Sequence, residues 1–388
     1  KYNYLGENWD YPIAFLADAV NYLDQYRIKE KSDAHFNEYY IDGTYYPAVQ
    51  ILIKEGTVTT AGKGNYEAND IRTAAIRPKS NMRFYGGYPN TLEGTVTDGR
   101  NPDKYVTLLS SSVVGQYDNN SAHAFGIINA QNVIIDGVRM AYGNVVGMET
   151  SAIVKKGTGI IISNTTIPAE ERIDMTGIQL RNSVIANTQA YDGSAIYVNS
   201  IMPKEDNSIV RSELTVKNTV IRNCTSIQDE NQGSGDGAGI IVANGNTLID
   251  LDHCTIVNNE GYPLKTATAG GKEGEIVLTN SALFANSRDR VDGDRTNITT
   301  FSATLPAEPG TITGHHNMFD SGAPKDGTLQ AESTNRYILD ISSSSANYPT
   351  FKNPSSNVGH SEGVDRPLYG GTVSYEPLNR NPIVNAAD

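Results

Sequence analysis

Cysteine is nearly absent: Cys224 and Cys254 are the only two in 388 residues. That excludes a disulfide framework of the kind that staples small secreted domains. Tryptophan occurs once, against 22 tyrosines and 36 glycines. No apolar run approaches the ~20 residues of a membrane-spanning helix, so no membrane insertion is expected of this chain. Cations are the minority, 31 Lys and Arg against 44 Asp and Glu, for a formal net charge of -13. No basic run is present, which argues against nucleic acid, whose phosphates need clustered Lys and Arg, and against a membrane-surface patch. Nucleophile elbow, phosphate loop and dinucleotide fingerprint are all missing. The chain opens on Lys1 rather than Met. The expectation is a mature extracellular or outer-surface protein whose signal peptide has been removed. A mean hydropathy of -0.40, with abundant Gly, Asn, Ser, Thr and Tyr, suits such a turn-rich β-protein.

What is present begins with a helix. Asp10 can cap it, Pro12 fits its first turn, and Ile13, Leu16, Val20 and Leu23 recur at helical spacing. Lys29 and Lys31 follow, where the helix dipole favours cations. Its single apolar stripe needs a partner, and the open end of a β-coil is the expected one. Helical periodicity then stops. Glu38–Ile41, Ala48–Lys54 and Arg83–Tyr85 read as strands, broken by Asp42-Gly43 and Gly86-Gly87. Residues 55–75 read as a polar insertion.

The centre repeats imperfectly. Ile160–Ile167, Ile178–Ile185, Leu214–Ile221, Ile249–Ile256 and Ile276–Leu283 share one pattern. Aliphatics stand four and two residues before an Asn or His, a small residue follows it, and an aliphatic comes three after. Val133–Met140 fits with Gly137 in the Asn place. Two aliphatics at spacing two share one face of a strand. The jump across the Asn implies a corner, because Asn tolerates the left-handed conformation. Stacked corners predict a structural ladder of Asn164, Asn182, Asn218, His253 and Asn280. A second motif, Asp192–Val198 and Asp236–Val242, reads as the next strand, with Ile196, Val198, Ile240 and Val242 inward and Tyr197 and Ile241 outward. The register separates the two cysteines by about five residues, or ~16 Å at strand rise. That exceeds the ~7 Å a disulfide spans, so two free thiols are expected. Irregular repeat intervals disfavour leucine-rich, ankyrin and propeller folds. The fold class is therefore all-β, a single-stranded right-handed parallel β-helix with a short N-terminal capping helix. Residues 1–388 form one domain: cap and first rungs over 1–120, central rungs over 121–335, C-terminal rungs or cap over 336–388. The path of 296–348 stays open, with Asn317-Met318-Phe319 as one candidate rung.

Four motifs now resemble a family. They are Gly43-Thr44-Tyr45-Tyr46-Pro47, Tyr85-Gly86-Gly87-Tyr88-Pro89, Arg100-Asn101-Pro102 leading to Tyr105–Ser110, and His253-Cys254-Thr255-Ile256. The C-terminal Tyr375–Leu378 and Asn381–Asp388 add to them. In this order they are similar to bacterial surface proteins with pectin-lyase-like right-handed β-helix repeats. That group is common in Bacteroidetes and related to polymorphic membrane proteins. The resemblance implies the fold, adhesin-like surface display, and no particular chemistry.

Candidate sites are few. Asp289, Arg290, Asp292, Asp294 and Arg295 crowd one stretch and are the catalytic or Ca²⁺-binding candidates, weighed against a self-neutralising solvated loop. Asp229, Glu230 and Asp236 lie in a Gly/Ser-rich insertion. Tyr191, Tyr197 and Tyr262 are candidates for stacking on sugar rings. His315-His316, after Gly314, is similar to the Gly-His-Gly of pectin hydrolases, but that family's other motifs are missing. Without a Cys or carboxylate at ligand spacing the pair is not read as a metal site. No cofactor is expected beyond Ca²⁺. The expected function is a non-catalytic surface scaffold binding a polysaccharide or a surface or host protein. The alternative is a polysaccharide lyase or glycoside hydrolase acting on a long carbohydrate-binding face.

Overall fold

A computed structural model describes residues 16–29, 40–41, 44–45, 49–59, 76–93, 98–111, 123–144, 156–226, 239–257, 259–284, 286, 311–320 and 336–338. These residues form one α-helix, Leu16–Lys29, a 3-10 turn at Ala169–Glu171 and a largely parallel set of strands. Three sheets of six, eight and nine strands dominate, and in each the strands stack in chain order. From Phe125 the chain visits them in turn. Phe125–Ile128 belongs to the six-stranded sheet, Ile134–Asp136 to the eight-stranded sheet and Val138–Ala141 to the nine-stranded sheet. The cycle repeats through Ile160–Ser163, Met175–Arg181 and Val184–Ala186. It repeats again through Ile196–Ser200, Ser212–Lys217 and Val220–Arg222. Gly239–Gly245, Thr247–Asp252 and Thr255–Val257 make the next coil. This stacking of parallel sheets is compatible with a parallel β-helix.

Alternation explains why these segments stack. Phe84, Ile135, Leu180, Val216, Leu251 and Leu278 occupy one register position on successive strands of the eight-stranded sheet. Leu109, Met140, Ile185, Ile221, Ile256 and Leu283 do so in the nine-stranded sheet. All twelve are buried in one apolar cluster. Each such burial contributes about 1.5–3 kcal/mol relative to exposure. The helix joins that cluster through Leu16, Ala19 and Val20. The expected residues Asp10, Pro12 and Ile13 lie outside the described part.

The six-stranded sheet ends differently. Tyr262–Ala269 folds back at Gly270-Gly271 so that Lys272–Glu273 pairs with it antiparallel. The other two sheets continue through Thr311–His315 and Met318–Asp320. Asn317-Met318-Phe319 therefore does belong to a further coil, which Thr311–His315 precedes. The first short strand, Tyr40–Ile41, pairs antiparallel with Thr44–Tyr45 across Asp42-Gly43.

Two sequence assignments change. Ile160–Ser163 belongs to the six-stranded sheet, pairing Ile160 with Ile196, so Asn164 is not in the corner column. Its side chain is buried, and neither amide atom has a hydrogen-bond partner. Aliphatic-x-aliphatic-x-Asn describes the end of an inward-facing strand in either sheet, and the repeat alone does not tell them apart. The second motif is also shifted by one. Ile196 pairs with Ile241 and Tyr197 with Val242. Ile240 is in the main cluster as expected, but Ile241 joins Ile196 there too, while Val242 shares a separate cluster with Tyr197. Ile241 stands five residues after Asp236, whereas its partner Ile196 stands four after Asp192.

The cysteines are free and buried, and they sit at different corners. Cys254 follows His253, which turns the chain from the eight- to the nine-stranded sheet. Cys224 follows Asn223, a left-handed residue (φ 53) after Val220–Arg222. Burial pushes the Cys224 thiol up to about 11 and the Cys254 thiol up to about 12. Thiolate is the reactive form. Native protein should therefore leave a thiol-disulfide colorimetric reagent unconsumed over hours at pH 8, and denatured protein should titrate two thiols per chain. Rapid reaction of the native chain would contradict this packing.

Candidate functional site

The corner between the eight- and nine-stranded sheets organises a polar surface. Asn182, Asn218, His253, Asn280 and His316 take left-handed φ values of 49, 46, 54, 50 and 58, and Gly137 takes 73. A Cβ at Gly137 would also meet the Arg100 guanidinium and Pro102, so this corner needs glycine on both counts. The amides form a ladder on the outer rim of the turn. Asn218 Nδ2 donates to Asn182 Oδ1 at 2.8 Å, and Asn182 Nδ2 donates to Asp136 Oδ1 at 3.1 Å. His253 interrupts the run, and Asn280 Nδ2 donates instead to Asp252 Oδ1 at 3.1 Å. The inside of the turn belongs to the next residue. Ser183, Thr219 and Ser281 hydroxyls each donate to the carbonyl two residues back. Ser281 Oγ and Asn317 Oδ1 accept from the backbone of the preceding coil.

Strand alternation sends the neighbours of the inward column outward. On the eight-stranded sheet one outer row reads Tyr85, Asp136, Arg181, Lys217, Asp252, Thr279 and His315. The row beside it reads Arg83, Ile134, Gln179, Thr215, Asp250, Val277 and Thr313. Two carboxylate centres lie here. Asp136 is 7% exposed and paired on both oxygens, with Arg100 Nη2 at 2.6 Å and Arg181 Nη2 at 3.2 Å. Arg100 also donates through Nε to Gly86 O at 2.8 Å and lies 5.3 Å over the Tyr85 ring. Asn101 N donates to Gly87 O at 2.7 Å. The Tyr85–Pro89 and Arg100–Pro102 motifs thus pack on each other and on Asp136-Gly137.

The second centre is Asp250 and Asp252. Asp252 is touched by Lys217 Nζ at 3.6 Å, His253 Nδ1 at 2.7 Å, Thr279 Oγ1 at 3.3 Å and Asn280 Nδ2 at 3.1 Å. Burial pushes its carboxyl up, but the bonds from Asn280 and His253, with the Lys217 charge, hold it below the usual carboxylate range. Asp250, two residues back on the same face, is pushed up by burial; Lys217 opposes and Asp252 adds. Both residues stood in the repeat Ile249-Asp250-Leu251-Asp252. Its outward alternation was the signal that could have singled them out.

The tyrosines have a different role. Tyr197 is 3% exposed and packs with Ile161 and Val242 on the outer side of the six-stranded sheet. Lys156 Nζ lies 5.0 Å over its ring and 3.4 Å from its hydroxyl, and Asn244 Nδ2 donates to that hydroxyl at 3.2 Å. Burial, with Asp192 adding, raises the phenol well above its ordinary range. Beside it Asp192 accepts from Gly239 N at 2.8 Å and pairs with Lys265 at 3.2 Å, both side chains 13% exposed. Tyr262 is buried and Tyr191 half-buried at the same end of this sheet. Tyr197 and Tyr262 therefore offer no open ring face for a sugar. Aromatic residues on outer strand positions pack readily under neighbouring segments, which the strand pattern does not reveal.

Asp289, Arg290, Asp292, Asp294 and Arg295 lie outside the described residues, as do Asp229, Glu230 and Asp236. Among the described residues no three His, Cys, Asp or Glu side chains come together as metal ligands, and no helix is long and apolar enough to cross a membrane. A scan of protein-family models and searches of curated proteins and solved structures return no match to this chain.

Proposed function

We propose that the chain is a right-handed parallel β-helix, capped at its start by the Leu16–Lys29 helix, that acts outside the cell as a non-catalytic scaffold. Its partner is a polysaccharide or a surface protein, bound along the outer face of the eight-stranded sheet. The observation supporting this reading is the pairing of charges on that face. Asp136 is held by two guanidiniums and Asp252 by Lys217, His253, Thr279 and Asn280. These groups run along a row of successive strands rather than converging on a point. Such a face suits repeated polar contacts to an extended ligand better than chemistry at one bond. The burial of Leu16, Ala19 and Val20 in the same apolar cluster as the strands supports the cap, and the near-universal hand of parallel crossovers supports the right-handed sense.

A lyase or hydrolase acting on the same face has one observation in its favour: the Asp250 and Asp252 carboxyls are pushed in opposite directions. Such a split is how acid and base roles are set in glycosidases. A panel of acidic and neutral polysaccharides, with and without Ca²⁺, separates the two readings. Binding should be retained on immobilised polymer, with no unsaturated product and no new reducing ends. Turnover that falls at least ~100-fold in Asp252→Asn would replace the scaffold reading with the enzymatic one.

A further inference from the structure

We propose that His315 and His316 form a chelating site for a divalent transition metal of the copper(II) or nickel(II) type. Their Nδ1 atoms lie 2.8 Å apart, with ring centroids 4.9 Å apart and planes at 87°. Two imidazole nitrogens each ~2.0–2.1 Å from a shared metal subtend ~85–90° when separated by that distance. This is the cis angle of square-planar and octahedral coordination. Tetrahedral ligands at the same bond length stand ~3.4 Å apart, so the spacing favours Cu²⁺ or Ni²⁺ over Zn²⁺.

The backbone presets the pair. His315 closes the strand Thr311–His315 and pairs with Thr279 of the preceding coil. His316 takes φ 58 in the corner column. His315 is exposed and His316 half-buried, so solvent can fill the remaining coordination positions. The fold does not require imidazoles here. One coil earlier the same two places hold Thr279 and Asn280, and Asn280 makes the same left-handed corner at φ 50. A hydrogen bond between the two rings also accounts for the 2.8 Å separation, but it implies no affinity for metal.

The preceding coil supplies conservative variants, His315→Thr and His316→Asn, that leave the corner intact. Tag-free protein would be titrated with Cu²⁺ by calorimetry and examined by electron paramagnetic resonance. The wild-type chain should bind one equivalent and show hyperfine coupling to two imidazole nitrogens. Each variant should bind at least about tenfold more weakly and lose one nitrogen. His253→Asn, in the same column, should bind like wild type. Absence of Cu²⁺ binding, equal affinity in His316→Asn, or loss of binding in His253→Asn would each overturn the assignment.

Discussion

Replacing Asp136 with Ala should lower stability by about 3 kcal/mol, because it leaves the Arg100 and Arg181 guanidiniums facing each other over an empty corner. The estimate takes the low end of the range for a broken buried pair. The carboxylate is 7% exposed but the guanidiniums are 25% and 32% exposed, and solvent screens what remains. Asp136→Asn keeps an acceptor for Asn182 and Arg100 and should cost about 1–2 kcal/mol. The damage should be local, since each rung of a stacked array leans on its neighbours. Amide exchange should speed up in Met82–Tyr88, Ile134–Asp136 and Met175–Arg181. Thr247–Asp252, two strands beyond Met175–Arg181 in the same sheet, should keep its protection. Uniform loss of protection along the chain, or an Asp136→Ala variant as stable as wild type, would contradict the pairing.

Acid should destabilise the fold well before the carboxylates titrate, through His123. This ring is buried, with Nδ1 2.9 Å from Gly157 O, and links the start of one strand to the turn before the next. A carbonyl only accepts, so Nδ1 carries the proton of a neutral ring. Burial lowers the imidazole to about 4; the Gly157 bond opposes this and Arg77 adds to it. An unfolded histidine titrates near ~6.5. Between these values the unfolded chain binds the extra proton, so stability is complete above pH ~6.5 and falls as the pH drops toward 4. The full span amounts to about 3 kcal/mol. In His123→Gln the urea midpoint should be lower at pH 8 but nearly flat from pH 7 to pH 5, where wild type slopes downward. An equal slope in both proteins would place the acid sensitivity elsewhere.

The corner asparagines were legible in the sequence because a left-handed residue is a local demand. Asn182, Asn218 and Asn280 announce it without reference to any neighbour. The stacking class followed from the same repeat, since a strand buried on one face must find the next coil. Asn164 was misplaced because the strands of two sheets end in the same local pattern, and only pairing tells them apart. The places of Ile241 and Val242 were missed because Ile241, not Ile240, pairs with Ile196, and a slip of one residue exchanges the two faces. The role of Asp136 was not visible in the repeat around Gly137, because its partner Arg100 lies 36 positions away and reaches it through tertiary packing. Alternation put Tyr197 outward correctly, but it carries no information about what packs over the outer side of a sheet.

The stacked-coil arrangement can be tested with pairs of spin labels on one outer row of the eight-stranded sheet. Arg83, Ile134, Asp250 and Thr313 occupy that row, and successive members are separated by whole strands. The buried native cysteines should stay unlabelled. At ~4.8 Å per strand, backbone separations of ~19 Å for Arg83 with Asp250, ~24 Å for Ile134 with Thr313 and ~29 Å for Arg83 with Thr313 are predicted. Dipolar spectroscopy should find narrow distributions that rise by one strand spacing per coil, whatever the number of residues between the labels. Distances that do not follow this order, or that scale with sequence separation instead, would contradict the coil and the binding face built on it.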